Sequence, residues 1–246
     1  MPDDAPATIP FTKLPGASLT STDSVAFGSV VATCLPLYVH TWDSLQQGQD
    51  FLNHSGTIRL GDLTILSTWG SAIDGEVEQK GEAQLVLPYL AGTNTFQVDG
   101  RQFSFRSSCL FIPDSRARIH LNCTTCSGVI FSFPPQSLLP VARAIGGPRF
   151  DGLALQTALE QAAILPRRFD ARRDRCQRLL TEALEFAERT MTIVGEVNPI
   201  LRLDDLIRRL MVMLLVPDLL EASTDVSTAE RTRSEGGTAP SEQRYF

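Results

Sequence analysis

The chain has 246 residues, 43% of them hydrophobic and 20% charged, the proportions of an ordinary soluble globular protein of one or two domains. Its formal net charge of −6 argues against non-specific nucleic-acid binding by the chain as a whole. No apolar run reaches the roughly 18–20 residues of a membrane span, and the N-terminal residues are acidic where a signal peptide is basic. Five cysteines at no framework spacing fit a reducing compartment, so the expected location is cytoplasmic, with no membrane partner.

Residues 1–24 are rich in Pro, Ser, Thr and Asp and predict a flexible N-terminal arm. Residues 25–38 carry small and β-branched side chains and are expected to enter a sheet. Residues 57–69, TIRLGDLTILSTW, alternate well enough for one or two strands.

The clearest patterning lies in residues 85–133. Short apolar runs of period two are separated there by the turn signals AGTN, DG, PDS and NCTTCSG, the mark of a small antiparallel barrel or sandwich. Leu85, Leu87 and Tyr89 share one strand face. Phe96 and Val98 lead into Asp99-Gly100, and Phe103 and Phe105 lead out of it, a strong hairpin signal. Residues 109–112 are continuously apolar and stop at Pro113-Asp114. In residues 116–122, Ala117, Ile119 and Leu121 point one way and Arg116, Arg118, His120 and Asn122 the other. Val129, Phe131 and Phe133 form the last clear strand before Pro134-Pro135.

Beyond residue 135 the period changes to about 3.6. A helix over 136–145 is closed by Gly146-Gly147, and a second is expected over 153–165. Residues 167–191 form a long amphipathic helix with Cys176, Leu179, Leu180, Ala183, Leu184, Ala187 and Met191 at helical spacing. A last helix runs over 203–216 and stops at Pro217. Residues 221–246 read as a polar linker or tail. The expected class is thus α+β, with a small antiparallel β-barrel over 25–135 and a helical segment over 136–220.

The strand pair QVDGRQFSF, the passage CLFIPDSRARIHL, the 92–100 turn region and the late helix LRLDDLIRRLMVMLLVPDLL carry a resemblance. Over roughly residues 25–220 the chain resembles the cupin-like, ligand-binding and dimerisation domain of AraC-type transcription regulators. The resemblance implies a small-molecule effector in the barrel and subunit pairing through the helices. Regulators of this type continue past the linker into a domain with two helix-turn-helix motifs, and this sequence stops about where the first such helix would start. The expectation is therefore a sensor without its DNA-binding part, with no direct DNA binding by this chain alone. It would act as a homodimer or as a mixed dimer with a full-length regulator.

Candidate sites follow from residue type. For an effector in the barrel mouth, Trp69, Tyr89, Arg118 and His120 are the polar and aromatic candidates. Which sheet face lines the barrel stays open, because a slip of one residue reverses it. For dimerisation, Leu180, Leu184 and Ala187 form the seam of the long helix; the same stripe can instead pack on its own barrel or on the last helix. No metal is expected, since His40, His54 and His120 are isolated and a zinc or iron site needs three or four ligands. Cys123-Thr-Thr-Cys126 reads as a hairpin turn, because no helix N-terminus is there to lower a thiol pKa. The basic run RRFDARRDRCQR reads as a solvated helix face with internal ion pairs. With no nucleophile elbow, phosphate loop or zinc-protease motif, the expectation is a binding protein without a cofactor rather than an enzyme. The alternatives are a cupin-type metal-dependent enzyme with a degenerate site and a non-functional remnant of a regulator gene.

Overall fold

The computed structural model describes residues 9–14, 16–46, 50–89, 92–114, 116–147, 150, 152–166, 170–194 and 202–219. The expected tail, 221–246, lies outside them. Among the described residues, twelve strands and five α-helices follow in order. They are β1 (Ser18–Ser21), α1 (Ser24–Cys34), β2 (Leu37–Ser44), β3 (Asn53–Leu60), β4 (Leu63–Gly70), β5 (Ile73–Gln79) and β6 (Ala83–Pro88). Next come β7 (Asn94–Val98), β8 (Arg101–Phe105), β9 (Cys109–Ile112), β10 (Arg118–Cys123) and β11 (Cys126–Phe133). A short 3-10 turn at Pro135–Ser137 precedes α2 (Leu138–Gly146), α3 (Leu153–Leu159), β12 (Ala163–Leu165), α4 (Ala171–Val194) and α5 (Leu203–Leu215).

The strands form two antiparallel sheets. One has seven strands in the order β1-β3-β4-β11-β6-β9-β12, the other five in the order β2-β5-β10-β7-β8. This is the expected α+β class: two facing antiparallel sheets in a cupin-like arrangement, followed by helices.

The seven-stranded sheet is covered on both faces. Leu85 and Leu87 of β6, Ile65 of β4 and Val129, Phe131 and Phe133 of β11 belong to one core shared with α2, α4 and α5. Their neighbours Val86, Leu66 and Ile130 belong to or pack on a second core, which they share with the five-stranded sheet and α1. That double burial explains the unbroken apolar run Cys109–Ile112: Cys109 and Phe111 enter one core, Leu110 and Ile112 the other. In the five-stranded sheet the alternation is clean, because its outer face meets water. Ile119 and Leu121 are buried, while Arg118 and His120 are exposed.

The Asp99-Gly100 hairpin forms as expected. Val98 pairs with Arg101, and both turn residues have positive φ, 50° and 74°, which a two-residue turn of this hand requires. Gly147, with φ 65° and ψ −158°, a backbone region open essentially to glycine alone, closes α2, its N–H donating to the Arg143 carbonyl.

Three expectations need correction. Residues 24–34 form a helix rather than a strand. Asp23 caps it, its carboxylate accepting hydrogen bonds from the backbone N–H groups of Val25 at 3.1 Å and Ala26 at 3.0 Å. Phe27, Gly28 and Val31 then share a buried face at helical spacing, which outweighs the β-branched content. The helix expected over 153–165 ends at Leu159, and Ala163–Leu165 adds an edge strand beside β9. Finally, the described part of the N-terminal arm is packed. Ile9, Phe11 and Leu14 are buried in the helix-side core, and the Phe11 N–H donates to Glu188 Oε1 of α4 at 2.8 Å. Apolar side chains scattered among the prolines hold it there. Gly56 is required beneath it, because a Cβ at that position would lie 2.0 Å from the Phe11 carbonyl oxygen.

The long helix packs on its own chain. Leu180, Leu184 and Ala187 are each 0% exposed, in the core formed with the barrel and α5. The residues expected to seat a second subunit are therefore already covered. Truncating Leu184 to Ala is expected to cost about 2–5 kcal/mol of stability. Urea unfolding should show a lower midpoint by the same amount at all protein concentrations; a concentration-dependent loss would contradict this placement.

Candidate ligand cavity

Between the two sheets lies a cavity of about 60 Å³. Leu66 and Thr68 of β4, Gln84, Val86 and Pro88 of β6, and Ser127, Gly128 and Ile130 of β11 form one wall. Leu37, Trp42, Ile73, Val77, Asn94, Phe96, Ile119, Leu121 and Cys123 form the other, and Phe27 and Val31 of α1 close one side. No lining side chain is charged. The wall is mostly aliphatic and aromatic with a few polar groups, the usual make-up of a small-molecule site.

Two glycines make room for the indole of Trp42. A Cβ on Gly75 would lie 2.9 Å from its ring, and one on Gly28 would lie 3.0 Å from the Trp42 Cβ. The ring meets Phe27 edge-on, with centroids 5.6 Å apart at 73°, a favourable aromatic geometry. Asp23 thus holds α1, α1 holds Phe27, and Phe27 with the two glycines holds Trp42 in the wall.

The residues predicted from sequence lie elsewhere. Trp69 faces away from the cavity and stacks on His54, ring centroids 5.2 Å apart and 12° from parallel. Tyr89 packs on the helix-side core, where burial pushes its phenol above the ordinary value. Arg118 and His120 stand on the outer face of the five-stranded sheet. Arg118 Nη1 donates to Glu76 Oε1 at 3.1 Å, and His120 Nε2 lies 3.2 Å from Asp74 Oδ2. His40 Nε2 approaches Glu78 Oε2 at 3.2 Å, and Asn122 Nδ2 donates to Asp74 Oδ1 at 2.9 Å. These pairs form a polar ladder of exposed or half-exposed groups worth at most about 1 kcal/mol apiece. The cause is one of parity: the chosen residues occupy the opposite strand face from the lining ones. Within residues 118–123 it is Ile119, Leu121 and Cys123 that reach the interior.

Sequence reasoning missed Phe27, Trp42, Gln84 and Asn94. Gln84 carried a usable signal, since it is a polar residue in the apolar run Ala83–Pro88, where each face is buried.

Cys123 and Cys126 close the β10–β11 hairpin and line the cavity. All five cysteines lie among the described residues and none is in a disulfide. Burial pushes the Cys126 thiol up to about 11 against an ordinary 9.0, partly opposed by its hydrogen bond with Thr68 at 3.4 Å. Burial raises Cys123 as well. At neutral pH both are protonated and uncharged, and neither is an activated nucleophile. Among the described residues no group of three or more His, Cys, Asp or Glu side chains is placed to hold a metal ion. No described helix is long and apolar enough to cross a membrane.

The raised thiols have a pH consequence. The folded state keeps a proton that the unfolded chain releases above pH 9, so stability is full below about pH 9 and falls as pH rises towards 11. The slope is up to about 1.4 kcal/mol per pH unit for each buried thiol. Urea midpoints measured from pH 8 to pH 10.5 should fall, and Cys126→Ala should flatten the decline; an unchanged slope in the variant would refute the assignment.

No protein-family model matches the chain, and no curated protein matches it in sequence. Among solved structures it is similar to the AraC-like transcriptional activator CuxR, at 16% identity and a TM-score of 0.52, over 81% of this chain and 70% of that one. It also matches an RmlC-like cupin from Shewanella frigidimarina, at 16% identity and a TM-score of 0.28, over 40% of this chain and 93% of that one. KdgF from a Halomonas species matches at 10% identity and a TM-score of 0.28, over 38% and 83%. The similarity to the activator extends over most of the chain, and at this identity it establishes a remote likeness of fold: cupin-like sheets followed by helices.

Proposed function

We propose that this chain is the ligand-sensing and dimerisation module of an AraC-type transcription regulator, with the barrel cavity as its effector site. The observation that carries the reading is the shared sheet. Strands β4, β6 and β11 present alternate side chains to the cavity and to the helices: Val86 lines the cavity while Leu85 and Leu87 pack in the helix-side core. A molecule in the cavity that favours one arrangement of these strands would bias the helices by its differential affinity alone. The uncharged lining and protonated thiols support binding rather than catalysis, and the likeness of fold to an activator supports the regulatory class.

The face offered to a second copy is the outer side of α4. Leu179, Phe186 and Ile193 recur there at seven-residue intervals and are 42%, 45% and 83% exposed. An antiparallel crossing centred on Phe186 sets Leu179 against Ile193 of the second copy and Glu182 near its Arg189, pairing apolar with apolar and acid with base.

Fusion of the full chain to a DNA-binding domain that represses only as a dimer tests both halves of this reading. The fusion should repress a reporter, Phe186→Asp should abolish repression while the chain stays folded as a monomer, and filling the cavity with Val86→Phe should change repression. A fusion that stays monomeric and silent would overturn the proposal.

A further inference from the structure

Resting on the cavity as effector site, we propose that its ligand is a compact, uncharged, largely apolar molecule bearing a hydrogen-bond acceptor, such as a cyclic ketone or a phenol. Two buried donors without partners point to the acceptor. Trp42 and Gln84 both line the cavity, at 8% and 4% exposure. Trp42 Nε1 and Gln84 Nε2 are each buried with no hydrogen-bond partner. An indole N–H can only donate, and a buried donor left unpaired is costly, so an oxygen that accepts from one or both is favoured there.

The rest of the wall sets the remaining chemistry. With no charged side chain to pair with, a carboxylate, phosphate or ammonium would lose its hydration without compensation. A sugar would present more hydroxyls than Thr68, Gln84, Asn94 and Ser127 can answer. The 60 Å³ of space, at about 10–15 Å³ for each water-sized occupant, holds roughly four to six non-hydrogen atoms, so cyclopentanone sits at the upper bound and phenol needs the walls to yield slightly. Phe27, Trp42 and Phe96 offer ring faces and edges to a flat or cyclic body.

Calorimetric titration of the full chain with cyclopentanone and phenol, against benzene, butyrate and inorganic phosphate, tests the assignment. Cyclopentanone or phenol should bind saturably and raise the melting temperature, and butyrate and phosphate should not. Gln84→Met and Trp42→Phe should each weaken the oxygen-bearing ligand about five- to tenfold and leave benzene unchanged. Gln84→Met keeps side-chain volume, so it remains informative should Trp42→Phe fold poorly. Equal binding of benzene and phenol, or no effect of either variant, would overturn the acceptor. Saturable binding of butyrate or phosphate would overturn the ligand class while leaving the effector site standing. A cavity that admits none of these molecules and holds only water would overturn both, and xenon uptake followed by NMR would show whether apolar space is accessible at all.

Discussion

The rest of the structure depends on one constraint: the seven-stranded sheet has no face of its own to spare. Its central strands β4, β11, β6 and β9 lie between the barrel interior and the helical layer, and both sides are dry. Burial of a Leu or Phe side chain is worth about 1.5–3 kcal/mol, so each such strand contributes on both faces to holding its two neighbouring layers together. Closing the second sheet over one face leaves a small cavity. Docking α2, α4 and α5 on the other consumes Leu180, Leu184 and Ala187. Because the same backbone serves both cores, it cannot shift for one without shifting for the other.

Two close tethers support this arrangement from outside the sheet. Arg208 of α5, itself nearly buried, pairs with Asp204 at 2.8 Å and with Asp62 in the β3–β4 turn. It joins the last helix to the tip of the first long hairpin, and with two carboxylates on one guanidinium it keeps a partner when either aspartate is removed. The N-terminal residues are pinned on the same side by Glu188. Helix α4 thereby meets the sheet, α5 and the start of the chain, and only its outermost stripe is left to solvent.

Much of the barrel was legible in the sequence because its signals are local. Asp99-Gly100 needs nothing beyond its neighbours, and the alternation in 118–123 follows from the pleat. The strand Ile73–Gln79 went unrecognised although Ile73, Val77 and Gln79 alternate with Asp74, Glu76 and Glu78, because Gly75 interrupts the pattern. The glycine is there for the Trp42 ring, a residue 33 positions away that no local reading supplies. Helix α1 was not legible because its small and β-branched residues favour a strand locally, and its cap, Asp23, sits in a Pro-, Ser- and Thr-rich stretch that reads as an arm. The site residues were misplaced for another reason. Polar and aromatic type suggested Trp69, Tyr89, Arg118 and His120, but on β10 polar type marks the water-facing side, where Arg118 and His120 stand. In the seven-stranded sheet that carries Trp69, both faces are buried and apolar character marks no particular side. Only the register, set by Phe131 opposite Ile65 and Leu85, says which face is which. The cross-strand pairs of His40 and His120 were equally invisible, their partners lying 38 and 46 residues away.

The chain's two tryptophans ended on opposite sides of this architecture. One indole is sealed in the cavity wall; the other lies open to solvent at 38% exposure, flat against an imidazole. A buried indole emits at shorter wavelength than a hydrated one. The molecule therefore carries two optical reporters of its own, one for its interior and one for its rim, separable by colour without any label.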